Sequence, residues 1–299
     1  MSENNTFQEQ KTEQTVSTGR KIGMIFLSLV PVAVLVMIQT MAQVPFLILS
    51  VVDATQEAHD SSNAMDIYDL LLQIFNEKYS AFAYFAYVAV GLVVFGIWYY
   101  KGFVKKQPKV RIGEVFGVKS ISAALCIGAG LFFVITAGMT LAEKIAPSFM
   151  ESYAEMIETA GLVSNPIVTI VYAIILGPVL EELCFRGVVF GFLEKSGIKP
   201  VYIILITALL FGAIHMIAVQ VIYATVIGAF LGFLRYKYRS LKITIFTHIL
   251  FNFMGTYVSE AFAAMEPGDG LVYILGGISL FVLAFAIVLV SKDKKAVRS

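Results

Sequence analysis

Charge is scarce in this chain. Only 14% of its 299 residues are Asp, Glu, Lys or Arg, against about 25% in ordinary soluble domains. With 58% hydrophobic residues and a mean hydropathy of +0.81, too little polar surface is left to dissolve it, which excludes a soluble domain. Cysteine is nearly absent as well. Cys126 and Cys184 are the only two, both in apolar segments. That excludes a disulfide framework and any zinc-thiolate spacing. There is no Gly-rich phosphate loop and no low-complexity tract.

What the chain does have is a series of apolar runs bounded by charge. They give eight expected spans, at about 22–52, 79–100, 120–142, 166–193, 200–218, 220–234, 243–264 and 271–290, read against the ~20 apolar residues that cross a bilayer. The fold class is therefore all-α, a polytopic membrane bundle. The sixth run is short for a hydrocarbon layer about 30 Å thick, and only "AVQV" near Ala218 to Val221 separates it from the fifth. The first run lies behind Arg20 and Lys21. It is too long and starts too late for a signal peptide, whose apolar stretch is about 7–15 residues, so a retained span is expected. Residues 1–19 are polar and aperiodic and read as a disordered tail.

Charge orients the spans. With both termini placed in the cytoplasm, every Lys and Arg falls on the cytoplasmic side except Lys78, Lys144 and the intramembrane Arg186. The segments at 53–78 and 143–165 carry Asp53, Glu57, Asp66, Asp69, Glu151, Glu155 and Glu158 instead. This is a strong positive-inside pattern, and one missed span would invert every later loop. The expected organisation is a cytoplasmic tail (1–19), a three-span region (20–165), a motif-bearing membrane core (166–264), and a last span with a basic tail (265–299).

The chemistry concentrates in the core. Of three histidines, His59 falls in an outer loop, whereas His215 and His248 lie within spans, as do Glu181, Glu182 and Arg186. Ionisable groups in a bilayer face the bundle interior and mark function. Residues four apart share a helix face, so Glu182 and Arg186 can pair. Glu181 is turned about 100° from Glu182 and is left as the unpaired carboxylate, suited in a dry pocket to general-base work. Gly177-Pro178, just upstream, can kink the helix and free backbone groups toward a cavity. Phe211 and His215 are four apart, so ring can pack on ring; His248 and Asn252 share a face in the same way. A carboxylate, two imidazoles and an amide converging on one cavity suit hydrolysis. Each signal also has a structural reading: a Glu–Arg staple, a helix-bridging histidine, an asparagine hydrogen-bonding between helices.

"EELCFR", "FGAIH" and "HILFN" fit E-E-x-x-x-R, F-x-x-x-H and H-x-x-x-N, in order on successive spans. In this the chain resembles the CAAX-protease and bacteriocin-processing (CPBP or Abi) family of intramembrane proteases, over about residues 166–256. The resemblance implies a helical bundle in a cell membrane, a bacterial plasma membrane here, that hydrolyses a peptide bond of a membrane-associated peptide or protein, in CAAX processing, peptide maturation or bacteriocin self-immunity. It implies that Glu181, helped by His215, activates water, that His248 and Asn252 stabilise the oxyanion, and that Glu182 and Arg186 support them. Two mechanisms fit: a metal-free glutamate-activated water, or zinc held by Glu181, His215 and His248 with an open position for water. The expected partners are membrane lipid and a peptide or membrane-protein substrate, with no nucleic acid. A proton- or ion-coupled transporter and a non-catalytic scaffold or immunity protein are the competing functions, although no repeated halves of the transporter kind occur.

Depth is the difficulty. Measured from the cytoplasmic ends of straight spans, His248 lies roughly 8 Å in, Glu181 roughly 18 Å and His215 roughly 22 Å. The three meet only if the fifth and sixth helices tilt or stop short, and the shortness of the sixth run points there.

Overall fold

The computed structural model describes residues 17–60, 67–105, 115–159 and 169–293, and these are helical apart from short connections. The expected tail lies almost wholly outside the described residues. The chain begins with α1 (Thr18–Leu27) and α2 (Val30–Asp60). The expected first span is thus broken at Ser28 and Leu29, because Pro31 has no N–H to return to the carbonyl four residues back. His59, expected in a loop, falls in the last turn of α2.

A second long helix, α3 (Ile67–Val104), returns beside α2, and α4 (Val118–Ile145) follows. A helix in the acidic outer connection, α5 (Pro147–Thr159), was not foreseen. Then come α6 (169–196), α7 (Pro200–Ala213), α8 (Ala218–Tyr238), α9 (241–263) and α10 (Asp269–Ser291). Among the described residues, five helical stretches are long and apolar enough to cross a membrane: 18–58, α3, α4, α8 and α10. Their outward faces are apolar, with Phe281, Phe285 and Ile278 on α10 more than half exposed, as lipid-facing surfaces are. The chain is a multi-pass membrane protein.

The other expected spans are built differently. Wide π-helical turns at Thr169–Leu176 and Leu183–Val189 interrupt α6, and another at Met254–Val258 interrupts α9. Such turns recur at functional sites. The short span is the fifth, not the sixth: α7 has 14 residues and α8 has 21. Glycine sets their contact. A Cβ on Gly228 would stand 3.0 Å from the Ala208 Cα, and one on Gly212 would overlap Thr225. Small residues let membrane helices approach this closely.

The middle of the bundle is α6. It packs against α1, α2, α3, α7, α8 and α9, and every residue from Cys184 to Gly191 is buried. That burial on all sides brings α6's charged residues against α8 and the motif residues of α7 and α9. On the far side, α4 runs along α10 and α9.

Candidate active site

The turn of α6 that carries Glu181 and Glu182 fixes the site. Glu182 is fully buried, and its Oε1 accepts from Arg186 Nη1 at 2.8 Å, one helical turn on. Arg186 is equally buried. Its Nη2 donates to the Gly228 carbonyl of α8 at 2.9 Å, and its guanidinium lies 4.5 Å from the centroid of the Phe211 ring. The expected pairing is present, and Arg186 also ties α6 to α8 and α7.

Glu181 is not the free carboxylate expected. His248, nearly buried on α9, stands between the two glutamates: its Nδ1 is 3.2 Å from Glu182 Oε1 and its Nε2 is 3.6 Å from Glu181 Oε2. Helix spacing within α6 reveals the Glu–Arg pair but cannot show a residue from another helix entering beside it. Glu182, held by Arg186, can only accept, so Nδ1 carries a proton. Nε2 and Glu181 stand within ion-pair reach but beyond hydrogen-bond distance.

Phe211, at the end of α7, joins the parts. Its ring meets the His215 ring edge-on at 5.1 Å and the His248 ring at 5.6 Å. His215 itself is not within a helix but in the turn after α7. Its Nδ1 lies 2.9 Å from the Phe211 carbonyl, one of the acceptors that a helix C-terminus leaves unpaired. A carbonyl accepts only, so Nδ1 is the donor and Nε2 keeps a lone pair. Because α7 stops short, an imidazole about 22 Å from the cytoplasmic end reaches the same cavity as His248.

Asn252 lies one turn beyond His248 and donates from Nδ2 to the Ala173 carbonyl of α6 at 2.8 Å. Pro178, five residues after Ala173, has no N–H to offer the π-helical register there. The backbone group that Gly177-Pro178 was expected to free is thus met by Asn252. One amide hydrogen is committed to this bond, and one is left.

Glu181, Phe211, His215, His248 and Asn252 all line one cavity of about 610 Å³. Its walls include residues that the motifs did not mark. Tyr153 and Ile157 come from α5, Tyr172 from α6, and Gln220 and Tyr223 from α8. Tyr223 is hydrogen-bonded to Tyr153 and to Gln220. The four-residue spacing of Tyr153 and Ile157 was the one available signal for α5. Arg235, read from sequence as a loop cation, is buried in α8; its Nε donates to the Arg186 carbonyl at 3.0 Å and its guanidinium lies 3.6 Å from Glu194. No sequence pattern marked it.

The expected metal-ligand set does not assemble. Among the described residues, no group of three or more His, Cys, Asp or Glu side chains is placed to hold a metal ion. Glu181 and His248 are neighbours, but His248 gives its other nitrogen to Glu182, and no ion pair joins His215 to Glu181 among the described residues. As arranged, these residues do not fit a three-ligand zinc site.

Residues 163–254 match the family described as type II CAAX prenyl endopeptidase Rce1-like. A protein of Bacillus subtilis (strain 168), described as "Putative membrane peptidase YdiL", is 33% identical over 88 residues, which cover 29% of this chain and 35% of that protein. The chain thus spans about a third of the length of this curated relative. No solved structure matches the chain. The matched region holds all three motifs, so the family resemblance carried by the sequence is supported there.

Proposed function

We propose that this chain is an intramembrane endopeptidase, acting on a membrane-associated peptide or protein in a bacterial plasma membrane. The observation that carries the reading is His248 held between Glu181 and Glu182 at the wall of a cavity, with Arg186 neutralising the inner glutamate. The inner pair is a fixed support, and the imidazole faces the outer glutamate across 3.6 Å.

In the proposed reaction, water beside Glu181 gives it a proton as its oxygen bonds to the scissile carbonyl carbon. His215, whose Nε2 lone pair is free of the Phe211 contact, assists by accepting a hydrogen bond from that water. The carbonyl oxygen becomes an oxyanion, met by His248 Nε2–H and the uncommitted amide hydrogen of Asn252. The C–N bond then breaks, and the proton on Glu181 passes to the leaving amine. Atoms and charge balance without a further reactant. The test is incubation of the purified protein with a peptide substrate pool, wild type against Glu181→Ala, followed by mass spectrometry of new termini. Cleavage that persists in the Glu181→Ala protein sinks the assignment.

The match to a family described as CAAX prenyl endopeptidase supports hydrolysis over transport or scaffolding. So does the placing of the intramembrane ionisable residues, which lie on α6, in the turn after α7, on α9 and at Arg235 near the end of α8, with none on α10 before its ends.

A further inference from the structure

We infer that the cavity opens away from the cytoplasm, and that its substrate is a neutral or cationic peptide segment presented at the extracytoplasmic face and cut at an internal bond. This rests on the protease reading and adds the side of the membrane and the class of substrate. The first observation is where the cations sit. Apart from Lys78, Lys144 and the intramembrane Arg186, the described Lys and Arg residues sit on helix ends that form one end of the bundle: Lys195 Nζ on α6 reaches the Gly102 carbonyl on α3, and Arg235 on α8 and Arg239 just beyond it face Glu194 on α6. Lys78 pairs with Asp53 and Lys144 with Asp269 at the other end. By the positive-inside rule, the cation-rich end is cytoplasmic.

Beyond His248, which stands two turns into α9 from its cytoplasmic start, the walls of the cavity belong to the opposite half. It is lined by the start of α6, the turn after α7, the start of α8, the later part of α9 and the outer helix α5. Toward the cytoplasm it is closed. Beneath the glutamates, Phe185, Arg186, Phe190, Leu231 and Leu234 are each at most 1% exposed, and Arg235 seals the layer below through the Arg186 carbonyl. A peptide arriving from the cytoplasm would have to displace this buried layer.

The chemistry of the mouth narrows the occupant. Outside the motif residues its polar lining is tyrosine, threonine, serine, Gln220 and Glu260, and no Lys or Arg is among the lining residues. A substrate with its free C-terminal carboxylate near the bond to be cut would bring a negative charge toward Glu181 and Glu260 with no Lys or Arg among the lining residues to meet it. A segment that passes through and presents an internal bond meets no such penalty.

The test uses the full chain in right-side-out and inverted membrane vesicles, with a membrane-impermeant maleimide. The cavity-lining Ser259→Cys variant should label only in right-side-out vesicles, and Tyr236→Cys, at the cation-rich end, only in inverted ones; the parent chain gives the background of the native cysteines. Labelling of Ser259→Cys only in inverted vesicles, equally in both, or in neither before detergent overturns the inference. The same vesicles then receive quenched fluorescent peptides with free or amidated C-termini. Preferential cutting of amidated peptides by right-side-out vesicles, lost in Glu181→Ala, supports the substrate class. Cutting by inverted vesicles alone, or a preference for free carboxylates, overturns it and leaves the protease reading standing. No cutting from either side sinks the protease reading, whatever the labelling shows.

Discussion

His248 and Glu182, 66 positions apart in the chain, meet at 3.2 Å inside the bundle. Through that contact a motif on α9 and a motif on α6 become one unit, because Glu182 is at the same time held by Arg186. The glutamate serves as the anchor for both a cation and an imidazole, which leaves the other face of the imidazole to Glu181.

Glu181→Gln should remove turnover and leave folding intact, since Glu181 is partly exposed to the cavity and its one ion pair among the described residues is with His248. A positioned general base contributes roughly 10²–10⁴-fold. Initial rates of peptide hydrolysis, with thermal unfolding measured beside them, check both halves of the expectation.

Glu182→Ala should behave differently. It strands the buried guanidinium of Arg186 and the Nδ1 proton of His248, a loss of about 3–5 kcal/mol when a buried pair is broken from one side. Melting temperature and yield should fall along with activity. A second variant, Glu182→Leu with Arg186→Met, removes both charges and should recover stability but not turnover. Wild-type stability in the single variant counts against the anchoring role.

His248→Asn separates support from catalysis. The amide can still donate to Glu182 but has no ring nitrogen to set against Glu181. Stability should stay close to wild type while the rate drops by about 10²–10³-fold, in the range of losing an oxyanion donor.

Treatment with a strong chelator followed by gel filtration should leave hydrolysis unchanged, because Glu181, His215 and His248 do not gather into a three-ligand group. Activity lost to the chelator and restored by zinc alone would falsify the metal-free route.

Much of this site was legible in sequence because it obeys helical periodicity. The Glu182–Arg186 pair and the Phe211–His215 ring contact are both four residues apart and both formed. The apolar runs placed most of the helices to within a few residues, but α3 begins at Ile67, well before the run at 79, and α2 continues to Asp60, past the run's end at 52. What spacing could not reveal was anything that crosses between helices. His248 entering between two glutamates, Asn252 reaching the Ala173 carbonyl, and Arg235 buried beneath the site are all tertiary contacts. The short helix was misplaced because hydrophobicity continues through Ile214, Met216 and Ile217, although the backbone turns there. Composition records what lipid tolerates, not where a helix ends.

The wide turns of α6 bear on which changes to the chain length the protein can survive. A π-helical stretch is, in effect, an α-helix with one residue too many, and α6 holds two of them, one on each side of Glu181 and Glu182. Deleting a single residue such as Val188 would let the lower stretch rewind to an ordinary helix without touching any motif residue, and the part beyond it would keep Glu194 facing Arg235 and Arg239, because the wide turn had already absorbed the extra residue. The regular turn that carries Glu181 and Glu182 has no such slack: a deletion there would swing everything beyond it round the axis by about 100°. In this segment, single-residue deletions should be survived in the wide turns and rejected between them.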